Sequence, residues 1–107
     1  MAQYLVQVGY TPEAWAKLIA KPENRLEALS PALAKLGGKW VQGWFSFGEY
    51  DLVAILEVPD NTAAAAFSLA ASAGGAVRAI KTTPLLSIEE GLGAMKKAGT
   101  IGYKPPQ

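Results

Sequence analysis

With 107 residues the chain is sized for one domain and is too short for two. It contains no Cys and no His, which removes disulfides, thiolate nucleophiles, the commonest general base and the usual zinc ligands; acid–base chemistry falls to Asp, Glu, Lys or Tyr, and neither a metal nor a cofactor is expected. Ten basic against nine acidic residues leave a net charge of +1, too weak a field to gather nucleic acid or an anionic membrane, and no apolar run approaches the ~20 residues of a membrane span. Met1 to Tyr10 carries no basic residue and reads as neither a signal nor a transit peptide, so the expected compartment is the cytoplasm.

Residues 3–10 predict a first strand, with Tyr4, Val6, Val8 and Tyr10 on one face and Gln3, Leu5 and Gln7 on the other. Thr11-Pro12 opens a helix, as N-cap and first helical residue, and Trp15, Leu18 and Ile19 give it one buried stripe. Lys21-Pro22 breaks or kinks that helix. Leu26, Leu29, Leu33 and Leu36 predict a second, ending at Gly37-Gly38 and kinked or loosened at Pro31.

Two strand-like runs, 39–47 and 50–58, flank Gly48-Glu49, which predicts a hairpin with a type II′ turn and Gly48 at positive φ. In that register Phe47 faces Tyr50, Phe45 faces Leu52 and Gly43 faces Ala54. One face then holds Val41, Gly43, Phe45, Phe47, Tyr50, Leu52, Ala54, Leu56 and Val58, almost all apolar. The other holds Trp40, Gln42, Trp44, Ser46, Asp51, Val53, Ile55 and Glu57. Asp60 or Asn61 caps an alanine-rich helix that Gly74-Gly75 stops; its small side chains suit close packing on a sheet. Ala76 to Thr83 predicts a fourth strand. A last helix opens on the capping box Ser87/Glu90, carries the stripe Ile88, Leu92 and Met95, and ends at Gly99.

The order is the β-α-β-β-α-β ferredoxin-like plan with a C-terminal helix added: an α+β fold with an antiparallel four-stranded sheet. Residues 1–98 form the domain and 99–107 a flexible tail. Helices in that plan cover one face of the sheet, which leaves Trp40, Trp44, Val53 and Ile55 bare on the other. Monomers rarely expose so much contiguous apolar surface, so a second copy packed sheet to sheet is the expected cover, with a cavity between the sheets. Trp40, Gln42, Trp44, Asp51 and Glu57 are its candidate ligand-binding residues.

Asp51 is weighed two ways. It is a hydrogen-bonding device of the hairpin, tied to Ser46 or to a backbone group, or it is a general base or ligand anchor at the cavity mouth. Trp40 and Trp44 serve as interface packing or as a stacking wall for an apolar ligand. Glu57, Arg78 and Lys81 read as rim charges, and Arg25 and Lys39 as surface.

Phe47-Gly48-Glu49-Tyr50-Asp51, followed by the run Leu52 to Asp60, resembles the GYD domain family, named for its Gly-Tyr-Asp signature; here Glu49 separates Gly48 from Tyr50. Val8-Gly9-Tyr10-Thr11-Pro12-Glu13 and the run Val77 to Pro84 are similar to it as well, and the likeness spans roughly residues 3–97. The resemblance implies membership of the dimeric α/β-barrel group, in which ferredoxin-like subunits pack sheet to sheet. It implies no catalytic residue, the family being largely of unknown function. The expected function is an oligomeric small-molecule or protein-binding module. The alternative is a cofactor-independent enzyme of the oxygenase, isomerase or cyclase kind, a possibility resting on fold analogy. A structural subunit with a dry interface is the third reading.

Overall fold

Backbone pairing in a computed structural model of Met1–Gln107 gives β1 (Ala2–Tyr10), β2 (Lys39–Phe45), β3 (Leu52–Val58) and β4 (Val77–Leu85), joined in one sheet of order β2-β3-β1-β4. Every pairing is antiparallel. The helices are α1 (Pro12–Ala20), α2 (Arg25–Lys35), α3 (Asn61–Ala73) and α4 (Ile88–Ala98). This is the ferredoxin-like α+β arrangement with one added helix.

Local chemistry sets the helix ends as the sequence predicts. The Thr11 hydroxyl accepts from Ala14 N–H, Asp60 from Ala63 N–H, and Ser87 and Glu90 bond reciprocally. At the end of α2, Gly37 N–H donates to Ala34 C=O at 3.0 Å and Gly38 N–H to Leu33 C=O at 2.9 Å, with Gly37 at φ 74°. That Schellman closure needs a residue without a Cβ penalty at position 37. With Pro31 inside it, α2 runs on from Arg25 to Lys35. The proline lies on the exposed side of α2, so the carbonyl it leaves unpaired is not trapped in the core.

One face of β1 and β3 builds the core: Tyr4, Val6, Val8, Tyr10, Leu52, Leu56 and Val58 pack with Leu33 of α2 and with Ala64 and Phe67 of α3. α2 leans on β2, and α3 leans on β3 and β4. In α1 the stripe is narrower than predicted: Trp15 and Leu18 are half-buried but Ile19 is exposed. β4 runs two residues beyond its predicted end, through Pro84. An edge strand tolerates a residue with no N–H.

Two irregularities shape the rest. In β2 the register slips between Trp40 and Gln42, so Val41 is an extra residue and Trp40 pairs with Leu56 rather than falling on the open face. In the β1–β4 pair the register slips between Gly9 and Tyr10, which leaves Arg78 as the extra residue of β4. α4 contributes no buried residue; Ile88, Leu92 and Met95 stay exposed on a helix projecting from the body. The radius of gyration is 17.0 Å, against about 13 Å for a compact domain of this length.

Candidate functional site

The sheet registers lay out the uncovered face row by row. Lys39, Glu57, Gln3 and Leu85 form one row, Gln42, Ile55, Leu5 and Thr83 the next, and Trp44, Val53, Gln7 and Lys81 the third. The centre is apolar: Leu5, Val53 and Ile55 are half-buried by their neighbours, and Trp44 is 52 % exposed beside them. Glutamines 3, 7 and 42 are interleaved, and Glu57 pairs with Lys39 at 3.8 Å along one border. Gln42, Trp44 and Glu57 therefore stand where the sequence puts them.

Trp40 does not. The extra residue Val41 turns it onto the helix side, where its ring meets Phe67 edge-on at 5.5 Å. Its indole Nε1–H is buried there without a hydrogen-bond partner. Leaving such a donor unpaired costs about 1–3 kcal/mol.

Asp51 leaves the proposed cavity too. Strand pairing stops at Phe45 and Leu52, so residues 46–51 form a loop in place of a two-residue turn; Phe47 is solvent-exposed, not packed on Tyr50, and Gly48 has no positive φ. The predicted register survives in the ladder, Phe45 facing Leu52, and in the bond from Ser46 N–H to Asp51 C=O at 2.8 Å. The Ser46 hydroxyl donates to Tyr50 C=O at 2.7 Å. Asp51 N–H donates to Val8 C=O at 2.8 Å, which ties the loop to β1. The Asp51 carboxylate accepts from Tyr10 N–H at 2.8 Å and from Trp15 Nε1–H at 3.2 Å, with the Arg78 guanidinium 3.9 Å away. The pairing of β1 with β3 ends at Val8 and Leu52, and Asp51 satisfies the Tyr10 N–H that lies beyond it. Arg78 crosses above Gly9, where a Cβ would come within 2.5 Å of the guanidinium carbon, and donates to Glu49 C=O at 2.7 Å. The Asp51 of the signature is thus a clasp joining the loop, β1, α1 and β4. Its carboxylate is occupied by donors.

A second concavity lies on the helix side of the sheet. α2 and α3 splay apart over β1 and β4 and leave a pocket of about 290 Å³. Val8, Leu29, Leu52, Phe67, Val77 and Ile80 line its apolar wall; Tyr10, Arg25 and Trp40 are its lining residues with polar groups, the Trp40 Nε1 being occluded. Burial pushes the Tyr10 hydroxyl above its ordinary value of 10.0, partly offset by the neighbouring Arg25. Burial alone would lower Arg25, but contacts with Glu23 and Tyr10 outweigh it and the guanidinium is held more firmly charged. Sequence reasoning treats Arg25 as surface and Tyr10 as core. Only the position of Arg25 at the first turn of α2, the helix carrying the leucine stripe, hinted otherwise.

The fold defines a ferredoxin-like α+β domain with one sheet face uncovered and no helix long and apolar enough to cross a membrane. The model of the GYD domain matches residues 4–95, and the chain belongs to the GYD domain family. No curated protein and no solved structure matches it.

Proposed function

We propose that the protein is a self-associating binding module in which two copies bury their open sheet faces against each other and hold a small molecule in the cavity between the sheets. The observation that carries this reading is the apolar centre of Leu5, Val53, Ile55 and Trp44 on a face that no helix covers. The interleaved glutamines and the Lys39–Glu57 pair supply the polar groups that such a cavity presents to a ligand.

The area also bears on how the copies meet. Four strands at about 4.8 Å spacing and seven to nine residues at about 3.3 Å give a face of roughly 450–550 Å². Two such faces bury about 1,000 Å², the lower limit for a specific interface and short of the usual ~1,600 Å². The exposed stripe of Ile88, Leu92 and Met95 on α4, laid against the partner, supplies the missing area. The enzyme reading is the weaker one, because Asp51 is engaged with Tyr10 and Trp15.

Light scattering on wild type and Ile55→Lys tests the proposal. Wild type should run at a multiple of the 11.3 kDa chain mass and the variant, folded by circular dichroism, at the single-chain mass. Identical masses for both would refute a sheet-to-sheet interface.

A further inference from the structure

From the pocket between α2, α3 and the sheet we infer a second binding site, complete within one chain, for a compact aromatic or aliphatic monocarboxylate. The site lies on the opposite side of the sheet from the proposed dimer face, so it stands whether or not the copies associate.

Three features of the pocket choose the ligand class. Its volume of about 290 Å³ lies at the bottom of the ~300–1,000 Å³ range of small-molecule pockets, which fits one ring or a short chain and little more. Twelve of its fourteen lining residues are hydrophobic, Tyr10 and Trp40 included, so the body of the ligand is apolar. The remaining chemistry is weighted to donors. Arg25 offers five donors, of which Glu23 takes one at the surface while Tyr10 contacts the same guanidinium. The Tyr10 hydroxyl is a second group able to donate. Trp40 lines the pocket through its ring, its Nε1 being occluded. A carboxylate brings both the acceptor lone pairs and the charge that complements Arg25. An amine or an alcohol does not. The rim is formed by Ala32, Ala70 and Gly74, small and exposed, and gives the ligand a way in between the helices.

The test uses 15N-labelled protein and four probes: benzoate, phenylacetate, 1-naphthoate and hexanoate. Three indole N–H resonances are expected, assigned by Trp15→Phe, Trp40→Phe and Trp44→Phe. At least one probe should shift the Trp40 indole resonance in a saturable manner while that of Trp44, on the other face, stays in place. Benzamide, the neutral isostere of benzoate, should bind at least tenfold more weakly. Arg25→Gln should weaken the carboxylate at least tenfold and leave benzamide unchanged. Ala71→Leu, which fills the pocket with an apolar group, should abolish binding in a protein that still unfolds cooperatively. No saturable shift of Trp40 with any probe, a shift confined to Trp44 or Trp15, or equal affinity for benzoate and benzamide would each overturn the assignment.

Discussion

Replacing Asp51 by Ala removes the acceptor at the junction of four elements, and the structure sets the cost. Tyr10 is 5 % exposed, so its N–H, which donates to Asp51 at 2.8 Å, would be left buried and unpaired. A hydrogen bond to a charged group is worth about 1.5–3 kcal/mol. The half-buried Trp15 indole loses a longer bond worth about 1 kcal/mol. Arg78 is 45 % exposed and 3.9 Å away, which limits its part to ~0.2–1 kcal/mol. The sum is about 3–5 kcal/mol, a large share of the ~5–15 kcal/mol of a domain this size. Asp51→Asn keeps an acceptor and loses only the charge, so about 1–2 kcal/mol is expected. Urea unfolding followed by tryptophan fluorescence, at one fixed protein concentration because association adds to stability, gives both values. A loss below about 1 kcal/mol for Asp51→Ala would show that the clasp is not structural and return Asp51 to the list of cavity residues.

Gly38→Ala should destabilise by about 2 kcal/mol or more, because the new Cβ would lie 2.7 Å from the Glu57 carbonyl, a backbone atom that cannot turn aside; Gly48→Ala should stay within ~0.5 kcal/mol, having open space and no positive φ. Thermal unfolding of the pair checks the contrast. The raised pKa of Tyr10 makes its contribution complete below pH 10.0, the unfolded value, and lost as pH rises through the higher folded value; wild type should therefore lose stability above about pH 10 more steeply than Tyr10→Phe in a denaturant series across that range. A chain ending at Leu86 should keep the unfolding midpoint of the isolated domain, since α4 contributes no buried residue, while its association weakens on sedimentation.

Much of this fold is legible in the residues, because short-range chemistry decides it. Caps at Thr11, Asp60 and Ser87, the Gly37-Gly38 closure and the alternation of β1 and β3 each depend on neighbours within a few positions. The hairpin register is legible as well: Gly43 faces Ala54 and Phe45 faces Leu52, as read from the alternation. The bulge at Val41 is not. A run of Trp, Val and Gln satisfies either face, and what turns Trp40 inward is Phe67 on a helix 27 positions away. The same gap hides the real partners of Asp51, which sit on β1 and α1 and not on its own hairpin. Alanines in α3 are a sign of close packing in the sequence, and α3 does lie on β3 and β4 with Ala64 in the core, while Ala70 and Ala71 border the pocket that α2 and α3 leave between them.

A native mass spectrum of freshly purified protein over a range of concentrations tests the self-association of the open face most directly. Ions at whole-number multiples of 11.3 kDa, with the single chain gaining at high dilution, are the predicted result, and any added mass would report a retained ligand. A single chain at every concentration would contradict it and leave Leu5, Val53, Ile55 and Trp44 to a different protein.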